Sequence, residues 1–516
     1  MEGAVGWISW YELVPAKRVS AGGLFWLVVK NQNKPPIYSI SGFLCELCAF
    51  VVKMILSLCL LFALSGCGAS FLQIKPVLEN EGEIYLYVQP FPQEADRLRF
   101  NIEGVSVVSG DGREFPLSLS MKDIKCREIK RQRLLASGTL PPGPYAGVSF
   151  KVKNASLKTD EGETALLIPD TPVKLDFSFN VARKKGYVIS MTFKYNESVQ
   201  TGFSFSPVFS LSIPPLPILS LTGYVSNSTS NNVTVFDKKR NQVMGVISTG
   251  GNPAGMAIDQ GRRKAYVALS TDDTIEVIDI LAGEVIDRQR LSTGDRPHEL
   301  ALTPDGRFLL CVNTGSNTVS FIDPGSLLEV GRIQVGKSPN SILIDQTGRR
   351  GFVFNMLSNT ISVIDIPNRG IISTISTDPT PLRGQLNRRG DRLYVIHEGS
   401  AYLLEIDPAF LTVLRRDKVK IAENSIKVDT KTDYVYVGRR RDFSVEVYEP
   451  FTFAPIDFFD TGGDIEYMTI DGEQYYLYLV NSGAKTVMVV SLVSKKVVAE
   501  FDVGEGPYWV TMMGEK

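Results

Sequence analysis

The chain has 516 residues, of which 55 are Lys or Arg and 56 are Asp or Glu, for a formal net charge of −1. No long basic run interrupts that balance, so the electrostatic footprint of a nucleic-acid binder is missing and no nucleic-acid partner is expected. A composition 44% hydrophobic and 22% charged excludes a disordered chain and leaves length for two or three domains, each with its own core.

Four of the six cysteines lie at or before residue 67; Cys126 and Cys311 follow, too few for a disulfide scaffold. Cys45-Glu-Leu-Cys48 has redox-motif spacing, but it sits in an apolar stretch without a βαβ context, so no redox role is read from it. Lys53 precedes a short apolar run, residues 54–66, that ends in small residues before Cys67; this is the layout of a secretory signal. Leu64-Ser65-Gly66-Cys67 resembles a bacterial lipobox, which implies cleavage before Cys67, lipidation of its thiol, and a membrane partner through the lipid anchor. Gly68 rather than Asp follows, and by the same resemblance the outer membrane or cell surface of the envelope is expected. The competing reading is a transmembrane helix over residues 42–66, long enough to span but interrupted by Glu46 and Lys53. Residues 1–50 fit neither reading well, and residues 1–53 are taken as a mis-called extension or disordered leader, with the true start near Val51 to Met54. Residues 67–80 then form a tether.

From residue 81 to 205 the chain shows short alternating runs, among them Ile84-Tyr85-Leu86-Tyr87-Val88, Tyr145–Val152, Val173–Phe177 and Tyr187–Met191. Period-two alternation with turn residues between runs predicts an antiparallel β-sandwich. The stretch Leu134-Leu135-Ala136-Ser137-Gly138-Thr139-Leu140-Pro141-Pro142-Gly143-Pro144-Tyr145 resembles a family of unknown function common in bacterial lipoproteins. That resemblance implies a sandwich and an envelope location, and no chemistry. Residues 206–223, with Pro207, Pro214, Pro215 and Pro217, read as an extended linker.

Fixed-period self-similarity organises the remainder, residues 224–516. An acidic or polar residue closes each unit at Asp237, Asp279, Asp323, Asp365, Asp407, Glu449 and Ser491, at intervals of 42, 44, 42, 42, 42 and 42. Thirteen residues before each stands Tyr224, Tyr266, Leu310, Phe352, Tyr394, Tyr436 or Tyr478. Units of this length with four short strands are propeller blades, so an all-β chain with a seven-bladed β-propeller after the sandwich is predicted. Tyr-Val-x-Asn, Asn-Thr-Val and Val-Ile-Asp together resemble the YVTN-type β-propeller family of surface-layer and envelope proteins. The resemblance implies a fold rather than an activity, and Tyr436-Val437-Gly438-Arg439 departs from it. Counting strands leaves the first blade without an inner strand and the chain end with one to spare, Pro507–Met513. This segment is expected to close the ring beside Tyr224–Ser228.

The only two histidines, His298 and His397, fall in different blades, and no haem, zinc-helix or serine-elbow motif is present, so neither metal nor cofactor is expected. Asp-Gly and Asn-Thr pairs read as turn residues rather than ligands. Aligning the inner strands on Pro253, Pro297, Pro339, Pro381, Glu423, Ile465 and Pro507 puts two rings at one channel mouth. The first holds Ala254, His298, Asn340, Leu382, Asn424, Glu466 and Tyr508; the second holds Gly255, Glu299, Ser341, Arg383, Ser425, Tyr467 and Trp509. Charge and aromatic surface gathered this way suit a polar binding pocket, and equally a structural network with channel water. Two function classes follow. One is a lipid-anchored binding or scaffolding protein with a protein or envelope-polymer partner. The other is a propeller enzyme of lactonase or quinone-dehydrogenase type acting at the funnel.

Overall fold

The computed structural model describes residues 75–160, 162–419, 423–440 and 442–515. The expected extension, signal segment and Cys67 lie outside the described residues. Among the described residues, regular structure is almost wholly strand.

Residues 82–212 form two packed sheets. The five-stranded sheet runs Phe209–Ser212, Gly186–Phe193, Gly82–Val88, Arg133–Leu140, Ser118–Leu119; the six-stranded sheet is built around Leu98–Ser109 and Gly143–Thr159. Ile84, Leu86 and Val88 meet Phe100, Ile102, Val148 and Phe150 across the core, as period-two alternation requires. The sheets differ from the sequence expectation in two ways. Gly82–Val88 pairs parallel with Gly186–Phe193, so the sandwich is not purely antiparallel. Phe209–Ser212, assigned above to the linker, pairs antiparallel with Ser190–Phe193 and belongs to the sandwich. The prolines that suggested a linker begin to act only at Pro214, after the last ladder pair.

Among the described residues, the chain from Thr222 to Met512 folds into seven four-stranded sheets. Their inner strands are Pro253–Asp259, Pro297–Leu302, Pro339–Ile344, Pro381–Leu386, Glu423–Val428, Ile465–Ile470 and Pro507–Met512, each packed on the next round a closed ring. The repeat spacing has a local cause. The closing residue of each unit, Asp in five, caps the turn between the third and fourth strands. Asp279 Oδ1 accepts the Leu281 and Ala282 amides at 2.8 and 2.9 Å, and Asp407 Oδ1 those of Ala409 and Phe410 at 2.8 and 3.0 Å. Asn231, Asn317 and Asn359 occupy the left-handed region at φ 53°, 59° and 55°, which Asn tolerates better than most residues. Their Oδ1 atoms accept the Asn252, Ser338 and Thr380 amides at 2.8, 2.7 and 3.0 Å, just before the inner strand of the following blade. One residue type therefore makes a turn and ties two blades together.

The conserved-looking Asn of Tyr-Val-x-Asn is also structural. Buried Asn313 Nδ2 donates to Thr318 and Ser320 at 3.0 and 2.8 Å, and Asn355 Nδ2 to Thr360 and Ser362 at 3.2 and 3.0 Å. Where the Asn is replaced, its partner changes too: Leu269 faces a strand carrying Glu276 instead of Ser, and Arg439 pairs with Glu446. His397 fills the same place in the fifth blade, its Nδ1 3.1 Å from the Tyr402 carbonyl.

Pro507–Met512 pairs antiparallel with Gly223–Asn227 and completes the first blade, so the last strand of the chain closes the ring on the first. The sandwich docks against that junction. Tyr85 and Tyr87, the opposite face of the strand whose Ile84 and Leu86 fill the sandwich core, join a cluster with Val233, Val246, Val489 and Phe501. Gln132 exchanges two hydrogen bonds with the Val243 backbone at 2.7 and 3.2 Å. Asp502 Oδ2 accepts from Arg133 Nε and the Leu134 amide at 2.9 and 3.0 Å. Gly186 lies so close to the first blade that a Cβ there would meet the Val246 carbonyl oxygen at 2.6 Å.

Candidate functional site

Every inner strand begins with the same irregularity. The ladder register shifts just after the Pro-like residue, for example between Pro297 and Glu299, Pro381 and Arg383, and Ile465 and Tyr467. Such a bulge inserts an extra residue and re-aims its side chain. Simple alternation would send consecutive residues to opposite faces; the bulge lets neighbours such as Tyr508 and Trp509 both turn to the channel mouth, while Gly255 faces the backbone of the next blade and Ser425 faces Gly438.

In the first ring, His298 Nδ1 lies 2.8 Å from the Asn340 carbonyl and its Nε2 3.1 Å from the Tyr508 hydroxyl. A carbonyl only accepts, so Nδ1 carries the proton and Nε2 accepts from Tyr508. Burial holds the imidazolium down, to about 4, and the ring is neutral near pH 7. Burial likewise pushes the Tyr508 hydroxyl up to about 12, opposed by the nearby Arg383. Asn340 Nδ2 donates to the Leu382 carbonyl at 3.3 Å. Asn424 Nδ2 bridges the Ile465 carbonyl and Glu466 at 2.9 and 3.2 Å. Glu466 also accepts from Ser482 at 3.0 Å and pairs with Arg440 at 3.6 Å, on the rim.

The second ring forms a floor. The Tyr467 and Trp509 rings stack, with centroids 3.6 Å apart and planes 19° from parallel. Arg383 reaches from the fifth blade to this pair, its guanidinium carbon 5.1 Å from the Tyr467 centroid and 5.5 Å from that of Trp509. Its side chain is only 4% exposed. Burial works against the guanidinium charge, but Glu299, Tyr508, Tyr467 and Glu466 together outweigh it and raise the group further. Glu299 Oε1 accepts from Ser341 Oγ at 2.9 Å and the Ile342 amide at 3.3 Å. Burial pushes its carboxyl up while Arg383 and these donors pull it down. Glu299 Oε2, Arg383 Nε and Ser425 Oγ are buried without a hydrogen-bond partner. Thus His298, Asn340, Asn424, Glu466 and Tyr508 share the rim, and Glu299, Arg383, Tyr467 and Trp509 share the floor.

Sequence reasoning passed over the opposite mouth. A cavity of about 510 Å³ lies there, lined among others by Leu343, Gln385, Lys427 and Ile470. Glu515 enters the same end of the channel, accepting from Thr511 at 2.9 Å and from Thr469, and pairing with Lys427 at 3.7 Å. The polar fourth positions of the later inner strands, Gln385, Lys427, Thr469 and Thr511, were the available signal. A further cleft of about 650 Å³ separates Arg183–Gly186 of the sandwich from the outer strands of two blades. Volume alone therefore does not single out the near mouth; what sets it apart is a buried charge pair, Glu299 and Arg383, beside the stacked Tyr467 and Trp509 rings. Among the described residues, no three or more His, Cys, Asp or Glu side chains are gathered as a metal site.

The family model of YNCE-like β-propellers matches residues 247–455. No curated protein is matched. Among solved structures, a functionally unknown protein from Desulfotomaculum acetoxidans DSM 771 superposes with a TM-score of 0.51 at 14% identity, covering 58% of this chain and all (100%) of that one. Kuenenia stuttgartiensis hydrazine synthase matches at 19% identity and a TM-score of 0.48, over 54% of this chain and 96% of that one. A putative 6-phosphogluconolactonase from Bacteroides fragilis NCTC 9343 matches at 12% identity and 0.48, over 56% and 97%. At such identities the likeness is one of fold: the chain is a β-propeller repeat protein.

Proposed function

We propose that the chain is a lipid-anchored binding or scaffolding protein of the bacterial cell envelope, presenting the near channel mouth to its partner. The observation that carries this reading is the assembly of charged and aromatic side chains at one mouth, with His298 engaged at both ring nitrogens. Charge and aromatic surface gathered in one place suit recognition of a partner. The tether fits the same reading. The Lys75 amide donates to the Thr229 carbonyl at 3.0 Å, and Thr229 in turn bonds Glu505, two residues before Pro507 and the mouth strand. Lys75 stands eight steps along the chain from Cys67, at most about 28 Å when extended, so an anchor at Cys67 would hold the mouth close to a membrane.

Two measurements test the reading. Cys67→Ala should abolish incorporation of labelled fatty acid and release the protein from membranes; unchanged labelling or retention refutes the anchor. A photo-crosslinker at Asn424 should capture an envelope component, and capture should fall when Glu466 and Trp509 are changed to Ala. Capture that is indifferent to both changes refutes the mouth as the binding face.

A further inference from the structure

The floor of the near mouth holds two groups that folding has buried and left incomplete. Arg383 is 4% exposed with Nε unpartnered, and Glu299 is 5% exposed with Oε2 unpartnered. They come from the fifth and third blades, and Arg383 reaches the Tyr467 and Trp509 rings of the seventh and first. Folded proteins seldom leave such groups bare, because burial strips away water that nothing replaces. Nothing in the ladder requires a charge here: Gly255 and Ser341 occupy equivalent second positions in other blades. Beside the cation stands a flat aromatic surface, the Tyr467–Trp509 stack.

We propose that the near mouth binds a small organic acid carrying a hydroxyl or amino group. The inference rests on the reading of that mouth as the binding face, and gives its chemistry. Arg383 takes the ligand carboxylate, since a guanidinium fork matches two carboxylate oxygens. Glu299 Oε2 accepts from the ligand's hydroxyl or ammonium, which a plain carboxylate cannot offer. The ligand's carbon skeleton lies along Tyr467 and Trp509. Arg440 and Glu466 on the rim carry opposite charges and impose no net sign on entry.

The site contains its own reporter. The chain has four tryptophans, at 7, 10, 26 and 509, so Trp509 is the only one beyond residue 26. Sodium lactate, alanine, sodium acetate and ethylammonium chloride are titrated into the full chain, with sodium chloride as the ionic control. Tryptophan emission and melting temperature are followed together. Lactate and alanine should change the emission and raise the melting temperature, acetate should do so at least tenfold more weakly, and ethylammonium and sodium chloride should do neither. Arg383→Gln should weaken every acid at least tenfold. Should that variant fail to fold, Arg383→Lys keeps the charge without the fork and should weaken binding similarly. Glu299→Gln should erase the preference for lactate and alanine over acetate. The emission change should vanish in Trp509→Phe.

Three results overturn the assignment: no response of the parent to any acid, a response that survives in the Arg383 variants, or an equal response to ethylammonium. Any of these leaves crosslinking at Asn424 free to succeed, so failure of this chemistry is distinguishable from failure of the binding face itself.

Discussion

Removing the last strand should do more damage than its length suggests. Consider the chain ended after Gly506. Trp509, Val510, Met512 and Met513 are each 6% exposed or less, and burying an apolar side chain of this size contributes about 1.5–3 kcal/mol. The four sum to about 6–12 kcal/mol, an upper estimate because unfolded chains bury some surface already. Whole domains are stable by only about 5–15 kcal/mol. The loss also leaves Gly223–Asn227 with an open ladder edge, which invites intermolecular pairing. Thermal unfolding by circular dichroism, with size-exclusion chromatography at several concentrations, should show no cooperative melt or a sharply lowered one, with higher oligomers. A point variant separates packing from pairing: Met512→Ala keeps the backbone but should cost about 2–5 kcal/mol. At about 2–4 °C per kcal/mol for a domain of this size, that is a drop of about 4–20 °C. A truncated chain that stays monomeric and melts within about two degrees of the parent would refute closure by this strand.

Three further predictions use other parts of the molecule. Burial holds buried His397 down to about 4 from 6.5, so the unfolded chain takes up the proton first and stability falls as pH drops from 6.5 towards 4. The loss is about 3 kcal/mol at most, and urea midpoints at pH 7 and pH 5 should differ less in His397→Asn than in the parent; an equal difference counts against the assignment. Gly186→Ala should force the sandwich off the Val246 carbonyl at a cost of about 1–3 kcal/mol, raising hydrogen exchange in Gly186–Phe193 and Gln242–Ser248. Gly104→Ala, with no atom within 4 Å of the added carbon, should leave both strands unchanged. Asn313→Ala strips the Thr318 and Ser320 hydroxyls of their donor and should cost about 1–3 kcal/mol in urea unfolding; a change below about 0.5 kcal/mol would mean the pairing is dispensable.

Much of the propeller was legible because its periodicity comes from short-range chemistry. An Asp that caps its own turn and an Asn that adopts positive φ must recur wherever the turn recurs, whatever the rest of the blade does. The closing strand was legible by counting, since a sheet one strand short and a chain one strand long have a single economical solution. The mouth residues could be aligned, but why neighbours such as His298 and Glu299 address the same space was not, because strict alternation forbids it. The bulge that permits it has no residue signature of its own. The alternation in Ile84-Tyr85-Leu86-Tyr87-Val88 turns its tyrosines away from the sandwich core, yet no local feature names the first and last blades as what covers them. The parallel pairing of Gly82–Val88 with Gly186–Phe193 joins segments about a hundred residues apart, beyond the reach of pattern reading. Gln385, Lys427, Thr469 and Thr511 at the far mouth were visible, but nothing in their spacing distinguished channel from surface.

The docking of the sandwich bears on how the ring is assembled. A circular sheet array has one place where no covalent link crosses, here the ladder between Gly223–Asn227 and Pro507–Met512. The sandwich touches both sides of that gap, Val243 in the first blade through Gln132 and Asp502 in the seventh through Arg133 and Leu134. It is made before the propeller during synthesis, and domains tend to fold in that order, whereas the strand that shuts the ring follows every other strand of the propeller. An early-formed block already holding the first blade offers the seventh a place to land before the final residues arrive. That shortens the search over nearly three hundred residues that loop closure would otherwise impose. The N-terminal domain is therefore placed where a jig for the join would stand, and a propeller expressed without it should close slowly even where the closed ring is stable.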